Sequence, residues 1–321
     1  MSGDLQSVLE DQWKRTTPER VRELFDIDSS PILKPNKNRS LALHYAVAFD
    51  APLLTIKALC ELNKSALMVQ NENGQTPLHY ACYNSFQSVP YLLSVAPQAA
   101  NIFNNNGRLP IHCLIMNSGP LSALAKLIKC TRNPAVGAKD GKTVLHYAAY
   151  TGTECLPFVI ENYPGLLLVK DREGQVPIHV ALMCDCKLSV LKQLYFASKE
   201  SIFKQDKDFE NSPLHYAVVN DNREALNFFL TECPFEVTRV KNVHGRTPFD
   251  LAKHYQRKEL IKMFKACSGQ NRPPPGVESA ETRGGLPKKR GPESTARVET
   301  KKIKLHEEQQ KGQMDNFSAL E

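Results

Sequence analysis

Apolar and polar positions along the chain follow a pattern that returns at a nearly fixed interval. Six of the nine histidines, at 44, 79, 112, 146, 179 and 215, are separated by 35, 33, 34, 33 and 36 residues, and a further step of 35 lands on Asp250. Around each anchor the same words recur: Gly74-Gln-Thr-Pro-Leu-His79-Tyr-Ala, Gly107-Arg-Leu-Pro-Ile-His112-Cys, Gly141-Lys-Thr-Val-Leu-His146-Tyr-Ala, Gly174-Gln-Val-Pro-Ile-His179-Val-Ala and Asn211-Ser-Pro-Leu-His215-Tyr-Ala. The glycine suits a turn that needs positive φ, Thr or Ser suits a helix N-cap, and Pro fits the first helical position, where its missing N–H costs nothing. A helix is therefore predicted to begin at each such step, its apolar residue before the histidine and small Ala two after it on one side. A second apolar cluster follows in each copy, as at Leu92 and Leu93, Val159 and Ile160, or Phe228, Phe229 and Leu230. It predicts a second helix antiparallel to the first.

A unit of about 33 residues carrying Thr-Pro-Leu-His-x-Ala resembles the ankyrin-repeat family. The resemblance covers roughly residues 38–267 in seven registered copies. It implies an all-α solenoid of stacked helix pairs whose β-turn fingers project to one side, with a concave surface that binds other proteins. It also implies that His44, His79, His112, His146, His179 and His215 are framework residues that tie neighbouring loops together through backbone hydrogen bonds.

The departures from the pattern sit mainly at the ends. The first copy has Arg39, Leu41 and Ala42 in place of Gly, Thr and Pro, and the last has Asp250 for His with a polar second helix around Leu260, Ile261 and Phe264. End repeats present one face to water, so polar, atypical ends are expected. Glu210 stands where the sixth copy should have Gly, and a longer finger is expected through Asp206-Lys207-Asp208-Phe209. Residues 1–37 read as N-terminal capping helices, with Leu5, Val8, Leu9 and Trp13 on one stripe and Val21, Leu24 and Phe25 on a second helix opened by Thr17-Pro18-Glu19. A separate docking helix is the alternative. Residues 268–321 hold only 11 residues of the hydrophobic set, too few to offset ordering entropy, and read as a disordered basic tail.

Composition narrows the function. With 41% hydrophobic and 23% charged residues and no apolar run near the ~20 residues of a membrane span, a soluble protein is expected, in the nucleus or also in the cytoplasm. Nine cysteines at no framework spacing read as reduced thiols; Cys184 and Cys186 are one close pair where a zinc site needs two. No cofactor is implied. There is no P-loop, G-x-G-x-x-G, G-x-S-x-G or H-E-x-x-H, so an enzyme is not expected.

Binding residues are sought where a repeat is free to vary. Four residues after each anchor stand Ala48, Tyr83, Met116, Tyr150, Met183, Val219 and His254, an apolar and aromatic stripe that would line the groove in the family geometry. Packing between adjacent first helices is the competing account. Four residues before the anchor, near the finger tips, Gln75, Arg108, Lys142 and Arg246 are further partner contacts, against a merely solvated edge. Tyr45, Tyr80, Tyr147 and Tyr216, directly after the histidines, are assigned to the framework. In the tail, Lys288, Lys289 and Arg290 are followed after ten residues by Lys301, Lys302 and Lys304, spacing that resembles a bipartite nuclear localisation signal read by an import receptor. With ten Lys and Arg against eight Asp and Glu, the tail is poorly suited to nucleic acid. Met314, Phe317 and Leu320 could dock as a short helix. The reading is a noncatalytic nuclear adaptor that binds an unidentified protein partner; the alternative is a regulatory or inhibitory subunit of a cytoplasmic enzyme.

Overall fold

The computed structural model describes residues 13–268, apart from Asp28, Val136 and Thr153. Every regular element among the described residues is helical. The chain divides into two compact units, one holding the described residues up to Val144 with 154–158, the other Leu145–Gly152 and the described residues from Val159 onward.

The first unit opens with α1 (Pro18–Ile27) and α2 (Ser30–Leu33). Three helix pairs follow: α3 (Ala42–Ala48) with α4 (Leu53–Leu62), α5 (Pro77–Asn84) with α6 (Val89–Val95), and α7 (Pro110–Met116) with α8 (Leu121–Cys130). Short 3₁₀ turns at Lys64–Met68 and Pro97–Asn101 lead from the second helices of the first two pairs toward the next finger. α1 lies on α4, where Trp13 and Val21 are fully buried, Thr55 Oγ1 donates to the carbonyl of Thr16, and Asn63 Nδ2 donates to Ile32 O at 3.0 Å. The N-terminal segment thus covers the second helix of the first repeat. Leu5, Val8 and Leu9 lie outside the described residues.

The helices of the fourth pair, α9 (Val144–Thr151) and α10 (Leu156–Asn162), each straddle the division. The second unit continues with α11 (Pro177–Met183) and α12 (Leu188–Ala197), α13 (Pro213–Val219) and α14 (Arg223–Glu232), and α15 (Pro248–His254) and α16 (Lys258–Ser268). In each unit the first helices are lined with small residues at the contact: Ala46, Ala81, Ala148, Ala181, Ala217 and Ala252 are all fully buried. Proline opens α5, α7, α11, α13 and α15, and its lack of an N–H leaves nothing unpaired there.

Most fingers are built on one polar residue, with Ala138 in its place in the fourth. Asn71 Oδ1 accepts the backbone N–H groups of Asn73 and Gln75, and Asn104 and Asp171 do the same for their own fingers. The turn closes at a left-handed residue, Gly74 at φ 69° and Gly174 at φ 76°. A side chain is barred at both places a second time, because a Cβ on Gly74 would stand 2.7 Å from the N of Asn105, and one on Gly174 2.6 Å from the N of Lys207. Glu210 takes the same left-handed conformation at φ 54°, and the extra residue before it is accommodated by Phe209 N donating to Asp206 Oδ1 at 2.8 Å.

Candidate functional site

The recurrent histidines carry the most chemistry by residue type. In α5 the ring Nδ1 of His79 accepts the backbone N–H of Thr76 at 3.1 Å, so the ring proton sits on Nε2, 3.1 Å from the carbonyl oxygen of Arg108 in the next finger. The same link runs from His44 Nε2 to Gln75 O at 3.3 Å, from His146 to Gln175 O at 3.0 Å, from His179 to Asn211 O at 3.2 Å and from His215 to Arg246 O at 3.0 Å. His112 accepts Leu109 N–H at Nδ1. Thr76 and Ser212 stand at N-caps, yet their hydroxyls meet His79 and His215 Nδ1 at 2.9 and 2.8 Å rather than a helix-end N–H. Burial pushes His44, His79 and His215 down to about 4, and His112 and His179 to about 3. These rings are neutral at physiological pH and held at both nitrogens in the bonded cases, which leaves no base to take a substrate proton.

The tyrosines beside them brace the fingers. Asn71 Nδ2 donates to Tyr80 Oη at 2.9 Å, Asn36 Nδ2 to Tyr45 Oη at 2.6 Å, and Tyr216 Oη donates to Asp206 Oδ2 at 2.6 Å.

The stripe four residues after the anchors lies mostly inside. Tyr83 is 7% exposed, Met116 4%, Met183 1% and Val219 3%, and Ala48 is buried as well; Tyr150 is half-buried and His254 exposed. An exposed groove lining is therefore met at Tyr150 and His254 and not at the other five. The reason is local: α5 packs directly on α7, and the burial that results pushes the Tyr83 hydroxyl well above its ordinary range.

Gln75, Arg108 and Lys142 are also buried rather than at finger tips, and Arg246 is half-buried. Their backbone explains the position, since the carbonyls of Gln75, Arg108 and Arg246 are the acceptors of the histidine links. Lys142 folds back onto Asp140, Nζ to Oδ2 3.2 Å. The true tips are residues such as Glu72, Asn105, Lys139, Arg172 and Lys207, exposed except for their backbone contacts to adjacent fingers. Charge taken repeat by repeat, rather than over the whole chain, singles out the seventh, whose apolar pattern alone marks it only as a polar end.

Among the described residues no group of His, Cys, Asp and Glu could hold a metal ion, and no helix is long and apolar enough to cross a membrane. All nine cysteines are free thiols. Burial raises Cys186 to about 12, which keeps it from forming a thiolate. Lys288, Lys289, Arg290, Lys301, Lys302 and Lys304, together with Met314, Phe317 and Leu320, lie outside the described residues.

A family model described as ankyrin repeats matches in three copies, over residues 16–104 and 43–136 among others. Human B-cell lymphoma 3 protein is 28% identical over 160 residues, 47% of this chain and 35% of that protein, and the mouse homologue is 26% identical over 168 residues. The chain thus spans little more than a third of the length of these two relatives. A probable 26S proteasome regulatory subunit p28 of Saccharomyces cerevisiae is 24% identical over 225 residues, 68% of this chain and 96% of that one. In structure, the ankyrin repeat domain of Bcl-3, described as a unique member of the IkappaB protein family, superposes with a TM-score of 0.58 at 19% identity, covering 71% of this chain and 99% of the other, a likeness of fold. With the repeat words, the helix pairs, the histidine links between fingers and the family model in agreement, the chain belongs to the ankyrin-repeat family.

Proposed function

We propose that this protein is a noncatalytic protein–protein interaction adaptor that acts in the nucleus. The observation that carries the reading is the use of its recurrent polar side chains: histidines, tyrosines and finger Asn and Asp residues bond to backbone or to one another within the repeats, which builds a scaffold and leaves recognition to side chains that differ from repeat to repeat. On the accessible side of that scaffold we assign partner contact to Tyr150, Arg246 and His254 and to the finger tips, with Tyr83, Met116, Met183 and Val219 acting from beneath as packing. Nuclear entry rests on the two basic clusters at 288–290 and 301–304, engaged by an import receptor.

The test is cross-linking of the intact chain in cells, followed by affinity capture and mass spectrometry, with imaging of the tagged chain. Cross-links from nuclear protein to the finger tips are expected. Recovery of the chain without any cross-linked protein would contradict the adaptor, and exclusion from the nucleus would contradict its location. A second reading, a regulatory subunit of a cytoplasmic enzyme, is favoured by one observation, the match to nearly the full length of the yeast protein named as a probable proteasome regulatory subunit. Capture of one multisubunit enzyme in stoichiometric amount, with the chain in the cytoplasm, would establish it instead.

A further inference from the structure

Within each unit a finger hands one carbonyl to its successor. Asn38 O accepts from Glu72 N and Asn73 O from Asn105 N in the first unit, and Glu173 O accepts from Lys207 N and Phe209 O from Val243 N, both at 2.8 Å, in the second. By register the matching carbonyl of the seventh finger is that of His244, and no later finger follows among the described residues. Room is present there: a Cβ on Gly245 would meet nothing within 4 Å, where one on Gly174 would meet the next finger at 2.6 Å.

Positive charge is concentrated in the same repeat, with Lys241 and Arg246 on the finger itself. Residues 239–268 carry eight Lys and Arg against two Asp and Glu, a surplus of six where the whole chain has +7. Both acids are already engaged, Asp250 with Thr247 Oγ1 at 2.7 Å and Lys253 Nζ at 3.5 Å, Glu259 with Lys262 Nζ at 2.9 Å. His244 and His254 are exposed and Arg246 half-buried, and burial followed by the charges of Arg246 and His244 holds His254 below its usual range. The three side chains therefore lie near one another on the seventh repeat. Beside them Val243 is 52% exposed and Lys253 Nζ sits 4.1 Å above the ring centroid of the half-buried Phe249.

Resting on the reading of the chain as a protein-binding module, we propose that the open edge of the seventh finger is a docking site for an acidic, extended segment of a partner protein, which adds as an eighth finger. A segment N–H donates to His244 O, carboxylates sit against Arg246 and Lys241 and accept the ring N–H of His254, and an apolar side chain covers Val243. A single-repeat patch suits a few carboxylates. A nucleic acid, with one charge per ~1.7 Å of duplex axis, calls for a longer basic track.

Binding to the full chain is measured by fluorescence anisotropy with a labelled octapeptide of Glu with Val at its centre, beside the same peptide with Gln for every Glu and a short single-stranded oligonucleotide. The acidic peptide alone is expected to bind, more weakly at high salt. Arg246→Glu with His254→Glu should reduce its affinity at least about tenfold, and Lys126→Glu with Lys129→Glu, at exposed positions of α8 in the first unit, should leave it unchanged. If Arg246→Glu prevents folding by circular dichroism, Lys241→Glu with His244→Glu, both at exposed positions, carries the test. No binding of the acidic peptide, equal loss in the α8 control, or tighter binding of the oligonucleotide would each overturn the site. If the peptide fails while the intact chain still cross-links to a cellular protein, this site alone is lost; if both fail, the adaptor reading is lost with it.

Discussion

His215 Nε2 lies 3.0 Å from the carbonyl oxygen of Arg246, so a side chain of the sixth repeat fixes the backbone of the seventh finger. At the corresponding place in the seventh repeat stands Asp250, which turns back to its own N-cap and takes the hydroxyl of Thr247 at 2.7 Å. Where no later finger exists to be held, among the described residues, the histidine is replaced by a residue that caps its own helix.

Replacing His79 or His215 by Leu should therefore cost more than a core truncation of similar size. Each change strands a finger carbonyl and a cap N–H away from water, at about 1–3 kcal/mol per group. Urea unfolding of the intact chain measures it; a loss within the error of the measurement would show that the bonds do not hold the fingers. Asp250→His should not stabilise.

Acid should unfold the protein through the same residues. The buried rings hold folded pKa values of about 4 or 3 against an ordinary 6.5, so the unfolded chain binds protons first. Their stabilisation is complete above pH 6.5 and is lost as the pH falls toward 4. A shift of this size corresponds to roughly 3 kcal/mol per histidine, and two of them rival the whole stability of a typical domain. The urea midpoint should drop steeply between pH 6.5 and 5, and His79→Gln should flatten the slope. A midpoint independent of pH over that range would contradict the burial.

The two glycines Gly174 and Gly245 share a left-handed φ but differ in their neighbours. Gly245→Ala should cost only the backbone strain, about 1–2 kcal/mol. Gly174→Ala adds a collision with the backbone of Lys207 and should cost clearly more. Equal thermal shifts would mean that the fingers are not in contact.

Met183→Ser should lower stability by about 2–5 kcal/mol, as loss of a buried long side chain does, with the thermal midpoint as the readout. An unchanged midpoint would put this side chain back on the surface.

How far the chain was legible follows from these residues. The helix starts, the left-handed glycines and the polar seventh repeat were readable because turn, cap and proline chemistry are local. The depth of Tyr83, Met116 and Met183 was not, because helix spacing places a residue on a face without saying how closely the next helix approaches it. Gln75, Arg108 and Lys142 were misplaced at the tips for a similar reason: what recurs at that position is a carbonyl acceptor, and a backbone atom leaves no mark on residue type. The positive charge of the seventh finger at Lys241 and Arg246 was visible in sequence, but its openness depends on there being no later finger among the described residues.

Nuclear import should require both tail clusters. In the intact chain, Lys289→Ala with Arg290→Ala, or the triple change of Lys301, Lys302 and Lys304 to Ala, should each abolish most nuclear accumulation, since one peptide engages two pockets at once. A loss that only tracks the number of charges removed, matched by changing Arg272, Arg283 and Lys311, would contradict a bipartite signal.

The most direct measurement is of the histidine rings themselves. Long-range proton–nitrogen correlation spectra of the intact, isotope-labelled chain at pH 7 report which ring nitrogen carries the proton. The histidine links predict Nε2–H and bare Nδ1 at His79, His179 and His215, unchanged down to about pH 5. Rings that protonate near pH 6.5, or that carry the proton on Nδ1, would contradict the account of how this chain holds its fingers and why its histidines are scaffold rather than catalyst.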